Sequence, residues 1–290
     1  MHKVMAKGIL SATNGMNLYR GCTHGCIYCD SRSACYQMTH DFEDIEIKIN
    51  APELLEQALM RKRNKCMITT GFMSDSYNPL EEKLEITRKC LSLIDKYEFG
   101  VAIQTKSSRI LRDLDLLCSI NKKTKCVVAI TLTTFDDDLC KILEPNVSTT
   151  KERIEVLKVL RDHHIPTVVW LSPILPFIND TKENLSALLD ACIEAKVYGI
   201  ICFNMGLTLR EGNREYFYQK LDEYFPGMKE RYIKTFGNAY QVNSPHNEAL
   251  MKQFRDTCKA NHILYHPDDI FAYLHEYHCN SYEQISFDFF

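Results

Sequence analysis

Three cysteines within eight residues constrain this chain more than any other feature. Cys22, Cys26 and Cys29 lie in Tyr19-Arg20-Gly21-Cys22-Thr23-His24-Gly25-Cys26-Ile27-Tyr28-Cys29, a C-x3-C-x2-C run. Thiolates are the usual ligands of iron–sulfur clusters. Three close thiolates can hold three corners of a [4Fe–4S] cube and leave the fourth iron open to a small molecule. Gly21 and Gly25 are expected to let the backbone turn around such a group. A zinc site is the competing reading, with His24, Asp30 or Cys35 as fourth ligand. Structural zinc sites usually present paired spacings, and no second C-x2-C pair follows. One cluster is therefore expected.

At 290 residues the chain suits one large domain, or a domain with an extension. Its hydrophobic share of 45% and charged share of 25% are those of an ordinary globular protein. The net charge of −3 gives no global basic signature for nucleic acid. The longest apolar runs are too short to span a bilayer, so no membrane partner is expected. Met1-His2-Lys3-Val4 opens without the apolar stretch of an export signal. A cytoplasmic location follows as an expectation, where the remaining scattered cysteines stay reduced.

Short apolar runs alternate with amphipathic ones. Residues 16–19, 66–70, 101–105, 127–133, 167–171 and 199–204 read as six buried strands. They are near-continuously apolar, as parallel strands covered on both faces are. Residues 52–63, 80–97, 108–120, 150–163 and 182–196 read as the intervening helices. The fold class is α/β: six strand–helix units forming a partial (β/α)6 TIM-like barrel with right-handed crossovers. Residues 1–207 form the barrel. Residues 208–290 form a C-terminal helical and loop extension that caps it, with helices at 214–224, 247–261 and 270–278 and a polar loop over 225–245. The cysteine loop then follows strand one, on the face where such barrels carry chemistry.

The cysteine run, with an aromatic residue before its third Cys, resembles the radical S-adenosylmethionine (SAM) enzymes. That resemblance implies reductive cleavage of SAM at a [4Fe–4S] cluster to a 5′-deoxyadenosyl radical, with Cys22, Cys26 and Cys29 as cluster ligands. It also implies a flavodoxin- or ferredoxin-type reductant. Asn17-Leu18-Tyr19-Arg20-Gly21-Cys22 and Cys29-Asp30-Ser31-Arg32, followed by Thr70-Gly71-Phe72-Met73-Ser74-Asp75, Gln104-Thr105-Lys106 and Glu144-Pro145 with Arg153 beyond, resemble the spore photoproduct lyase-like group of DNA repair enzymes. By that resemblance Ser74 and Lys106 contact the methionyl part of SAM, with Asp75 beside them. Tyr28 packs near the adenine, and Thr131 or Thr133 makes a further contact. A Lys ammonium suits the SAM carboxylate, and a Ser hydroxyl can accept from its amino group.

Two positions depart from the group. Phe72 stands where the lyases carry a hydrogen-donating Cys, and Asp30 where they carry a second Tyr. Cys202 and Cys140 are the substitute hydrogen-relay candidates, against their alternative as buried hydrophobes. Cys202 qualifies if Asn204 points into the barrel, since alternation then aligns both on one strand face.

A nucleic-acid substrate is the first expectation, and a peptide or small molecule the second. An iron–sulfur sensor without turnover is the third, and predicts a cluster without SAM cleavage. Arg210, Arg214, Lys229, Arg231 and Lys234 with Tyr216, Tyr218, Tyr232 and Tyr240 combine cations with stacking surfaces. The basic runs 61–65 and 122–125 precede strands and belong at the opposite end of the barrel. Gln284-Ile285-Ser286-Phe287-Asp288-Phe289-Phe290 resembles peptides that dock bacterial sliding clamps through spaced apolar anchors.

Overall fold

The computed structural model describes residues 1–279; the clamp-like segment 284–290 lies outside them. The strands are β1 (His2–Val4), β2 (Gly15–Met16), β3 (Tyr19–Arg20), β4 (Glu46–Lys48), β5 (Met67–Thr70), β6 (Gly100–Thr105), β7 (Cys126–Thr131), β8 (Thr167–Trp170), β9 (Gly199–Ile201), β10 (Gly206–Thr208) and β11 (Gln241–Asn243). The helices are α1 (Ala51–Arg61), α2 (Glu81–Leu84), α3 (Ile86–Lys96), α4 (Leu114–Lys123), α5 (Asp137–Leu143), α6 (Thr150–Asp162), α7 (Lys182–Glu194), α8 (Asn213–Tyr224), α9 (Met228–Phe236), α10 (Asn247–Ala260) and α11 (Pro267–His275).

Six strands form the main sheet in the order β2-β5-β6-β7-β8-β9, and every neighbouring pair is parallel. Among the described residues β2 and β9 do not pair, so the sheet is an open arc. This is the expected partial barrel. Helices cover its outer face, where Ile103, Val128, Val169 and Ile200 join a core with Leu91, Leu157, Leu188 and Phe254. The inner face carries Met67, Ala102, Val127, Ala129, Val168 and Ile201. Ile270 and Leu274 of α11 pack into that face, and α11 touches both β5 and β9. The small residues Ala102 and Ala129 leave room for it. The helix thus fills the N-terminal half of the arc, where Lys125 Nζ donates to Tyr273 O at 2.6 Å. The C-terminal half remains open for a site.

Some boundaries differ from the sequence reading. The run 16–19 divides: β2 joins the main sheet, whereas Tyr19 leaves it to pair with Ile47 of β4 and donates from its hydroxyl to Glu81. The run 80–97 breaks at Glu85, which adopts φ +51° between α2 and α3. The segment 225–245 is not an open polar loop. It contains α9 and β11, because Tyr232 turns inward against Phe217 and Phe236 while the charges of α9 face out. The expected division at 207/208 falls inside β10, which pairs antiparallel with β11. No helix among the described residues is long and apolar enough to cross a membrane.

Candidate active site

The cysteine loop leaves β3 through two positive-φ glycines, Gly21 (φ +89°) and Gly25 (φ +71°). A Cβ on Gly21 would meet Phe42 O at 2.5 Å, and one on Gly25 would meet Pro145 Cγ at 2.9 Å. Neither position tolerates a side chain without movement. The loop is fastened at both flanks. Cys22 N–H donates to Phe42 O at 3.0 Å, and Ile27 N–H to Leu143 O at 3.0 Å. Asn146 clasps its centre, donating from its backbone to His24 O at 3.1 Å and from Nδ2 to Thr23 O at 2.8 Å.

Behind the loop is a buried charged layer. Glu144 and Arg153 are 2.5 Å apart with both side chains wholly buried, and the Tyr28 hydroxyl donates to the other Glu144 oxygen. Burial would raise the Glu144 carboxyl, but Arg153, Lys106 and the Tyr28 hydrogen bond hold it below its ordinary range. Burial likewise draws Lys106 down, yet Cys26, Glu144, Asp75 and Cys29 more than offset this and keep it an ammonium. Burial pushes the Cys22 thiol up to about 12 and also raises the Cys26 thiol well above its ordinary value, with Lys106 opposing it in both. Loading a metal group here therefore releases protons.

Asp75 ties three segments together. Its Oδ1 accepts from Tyr77 N–H at 2.8 Å and from the Thr105 hydroxyl at 2.8 Å. Its Oδ2 accepts from Lys106 N–H at 2.8 Å and lies 3.6 Å from His24 Nδ1. Burial lowers the His24 imidazole, so it is neutral despite Asp75. Ser74 donates to Gly21 O at 2.6 Å. Thr131 ends β7, where its Oγ1 accepts from Gln104 Nε2 at 3.2 Å.

Of these groups Tyr28, Cys29 and Lys106 reach a cleft of about 730 Å³ at the C-terminal edge of the strands, whereas Ser74, Asp75 and Thr131 are not in its lining. Tyr28, Cys29, Asp30, Gln104 and Lys106 line one side, and Trp170, Phe203, Asn204 and Tyr240 line the other. Phe72 lies between, with its ring 6.2 Å from that of Trp170. The size is that of a small-molecule site.

Residues 16–192 match the family model for the Radical SAM superfamily. The chain belongs to the radical SAM superfamily. It is therefore an enzyme whose family cofactors are a [4Fe–4S] cluster and SAM. An uncharacterized protein of Methanocaldococcus jannaschii is 33% identical over 58% of this chain, and the matched segment spans 62% of that relative. An uncharacterized protein of Mycobacterium bovis is 25% identical over 87% of this chain and 76% of its own length. Among solved structures, a spore photoproduct lyase variant superposes with a TM-score of 0.61 at 14% identity, covering 89% of this chain and 76% of that one. Another lyase variant, with bound AdoMet and dinucleoside spore photoproduct, gives a TM-score of 0.55 at 14% identity over 84% of this chain and 72% of that one.

The donor set fits the family's cluster. The three thiols come from one loop fastened at both flanks, and Cys29 opens onto the cleft beside Lys106, which suits three thiolates holding a cluster next to a small-molecule site.

The two cysteine relay candidates stand away from the cleft. Cys202 follows β9 directly and packs outward, its Sγ 3.8 Å from Met251 Sδ of α10. Past β9, which ends at Ile201, Phe203 and Asn204 both reach the cleft, so strict alternation stops with the strand and the position of Asn204 does not bring Cys202 inward. Cys140 sits in the buried layer, accepting from Arg153 Nη2 at 2.9 Å. Cys29 is the cysteine in the cleft lining. The cationic C-terminal set also divides. Arg214 is spent on the carbonyls of Leu209, Asn238 and Ala239, Arg231 on the Phe177 ring, and Lys229 on Asp222. Arg210 and Tyr240 remain at the rim. Arg210 donates to Tyr240 Oη at 2.8 Å and lies 3.4 Å from Asp30. The sequence reading missed Trp170, Phe203 and Gln104. Their signal was available: Gln104 and Trp170 are on the inner face of their strands by period-2 alternation, near the C-terminal end, and Phe203 comes just past that of β9.

Proposed function

We propose that this radical SAM enzyme acts on a nucleic acid, one base of which enters the cleft between the cysteine loop and the aromatic wall. Cys22, Cys26 and Cys29 would hold the cluster, and Tyr28, Ser74, Asp75, Lys106 and Thr131 would bind SAM. When bound, these cofactors supply a 5′-deoxyadenosyl radical that takes hydrogen from the substrate, on an electron from a flavodoxin- or ferredoxin-type partner.

The observation that carries the reading is the wall opposite Cys29 and Lys106. Trp170 packs edge-on against Phe72 and Phe203 at 6.2 and 5.9 Å, and Phe203 is 48% exposed. An aromatic face left open to solvent costs free energy unless something stacks on it, and bases stack on any such face. Tyr240 is 54% exposed beside Arg210 and extends this surface toward the rim. The likeness to lyases solved with a dinucleoside photoproduct supports the same direction. Within this chain's own part of the work, Lys106 supplies a fixed positive charge beside the thiols. The buried Glu144 orients Tyr28, and Asp75 fixes the end of β6 that presents Lys106.

The test begins with anaerobic reconstitution using iron and sulfide, then dithionite and SAM, on the wild type and Cys26→Ala. Formation of 5′-deoxyadenosine by the wild type and its loss in the variant are expected. Binding of single-stranded and ultraviolet-damaged DNA is then measured across a salt series. Affinity that falls with salt supports the reading, as does DNA-stimulated 5′-deoxyadenosine release. Cleavage of SAM without any DNA binding or stimulation would overturn it and leave a peptide or small molecule as substrate. A cluster whose EPR signal SAM does not perturb, with no cleavage, would make the protein a sensor.

A further inference from the structure

Away from the cleft, His2, His40 and Asp44 bring their ligand atoms within 4.8 Å of one another. They come from separate segments: His2 opens β1, whereas His40 and Asp44 lie in the stretch between the cysteine loop and β4. His2 pairs in register with Glu46 of β4, so a fourth candidate donor borders the group.

The hydrogen bonds fix the roles of the atoms. His40 Nδ1 lies 3.0 Å from Asp41 O. A carbonyl only accepts, so Nδ1 carries the hydrogen and the lone pair belongs to Nε2. That Nε2 is buried and has no hydrogen-bond partner. It faces Glu46 Oε2 at 3.6 Å, one acceptor against another. A positive centre between them removes the conflict. A proton on His40 would satisfy that pair alone. The His2 imidazole stands edge-on to His40 with ring centroids 4.8 Å apart, and its Nδ1 is 3.0 Å from Asp44 Oδ2. A metal ion would satisfy the His40–Glu46 pair and take the place of the hydrogen bond between His2 and Asp44, whose other oxygen lies 2.5 Å from the Met1 ammonium. Tetrahedral bonds of about 2.0–2.2 Å to nitrogen and oxygen put neighbouring ligand atoms about 3.3–3.6 Å apart, close to the separations found here. A backbone carbonyl on the far nitrogen is the usual support for a ligating histidine.

We infer that His2, His40 and Asp44, bordered by Glu46, bind one divalent transition-metal ion of the zinc type, separate from the cysteine loop. Two imidazoles with carboxylates select such an ion over calcium or magnesium. Bound there, it fastens β1 to the segment whose Phe42 carbonyl accepts from Cys22 N–H at 3.0 Å. The ion thus braces the support on which the cysteine loop rests. This inference stands independently of the substrate proposed above.

The probe is zinc itself. Iron-loaded holoprotein is incubated with zinc chloride and gel-filtered, and both metals are measured by elemental analysis for the wild type, His2→Ala, His40→Ala and Cys26→Ala. The wild type is expected to retain about one zinc per chain. Each histidine variant is expected to lose it and keep its iron, and Cys26→Ala to lose iron and keep zinc. Zinc content that is unchanged in both histidine variants, or absent from the wild type, overturns the assignment. Wild-type crystals soaked in zinc provide a test that needs no variant. An anomalous peak at the zinc edge between the two imidazoles supports the site, and peaks found only elsewhere overturn it.

Discussion

Arg153 Nη2 and Glu144 Oε2 lie 2.5 Å apart with no solvent exposure on either side chain, directly behind the cysteine loop. Arg153 also donates from Nη1 to the carbonyl of Thr131 at 2.7 Å. The pair therefore joins the end of β7 to the loop that clasps the cysteines. Buried pairs of this kind add little net stability, but removing one partner strands the other charge and costs about 3–5 kcal/mol.

Arg153→Met should lower stability by about that amount at neutral pH, with a pH signature. In the wild type the folded Glu144 titrates below its unfolded value of 4.5. It contributes stability that is present above pH 4.5 and lost as pH falls through the lower folded value. In the variant, burial is no longer offset by Arg153, and the folded Glu144 moves up. Its cost is then largest at neutral pH and is relieved as pH falls toward 4.5. Urea unfolding of both proteins at several pH values checks this: the gap should narrow on acidification. A gap of constant size would remove Glu144 from the explanation.

How much of this was legible in the sequence follows from which forces are local. The six parallel strands were readable because residues such as Cys126-Val127-Val128-Ala129-Ile130 are buried on both faces and so apolar without interruption. The paired glycines around Cys22 and Cys26 were readable because left-handed backbone demands them. Helix α9 was hidden, since its burial rests on Tyr232 meeting Phe217 and Phe177, contacts far apart in sequence. Cys202 was misplaced for a similar reason. Alternation holds only to Ile201, the end of β9; beyond it Cys202 packs outward on Met251 while Asn204 still reaches the cleft. The His2–His40–Asp44 group was invisible because its members meet only through the pairing of β1 with β4.

Lys106 is held as a cation by Cys26, Glu144, Asp75 and Cys29 around it. Lys106→Met should weaken SAM binding by roughly 10- to 150-fold, the loss of about 1.5–3 kcal/mol for one hydrogen bond to a charged group. Iron content after reconstitution should be retained. Calorimetric titration of SAM into the reconstituted variant, beside iron analysis, measures both. If Lys106 only compensates buried charge, the melting temperature will fall while SAM affinity stays the same.

Phe203 offers its ring to the cleft at 48% exposure while touching Trp170 and Phe271. Phe203→Ala should weaken single-stranded DNA binding by about 1–3 kcal/mol, the usual value of one stacked base, with little change in the salt slope because no charge is removed. Fluorescence anisotropy across a salt series separates the two quantities. Arg210→Ala should instead reduce the slope. A Phe203→Ala protein that binds DNA as tightly as wild type would mean that no base stacks on this wall.

Gly25 and Gly227 share a left-handed backbone but not a neighbourhood. Gly25 has φ +71° and Pro145 Cγ would lie 2.9 Å from an added Cβ, whereas Gly227 has φ +80° and nothing within 4 Å. The proline ring cannot swing aside as a long side chain would, so Gly25→Ala must displace the cysteine loop from Pro145. Both alanine variants carry the backbone cost of about 1–3 kcal/mol for an L residue in this region. Only Gly25→Ala should also lose iron on reconstitution, because the displacement reaches Cys26, the next residue. Iron content normalised to folded protein, compared between the two variants, isolates the geometric effect from the shared loss of stability. Equal iron in both would show that the loop adapts to the extra methyl and that its close contact with Pro145 is not what positions the thiols.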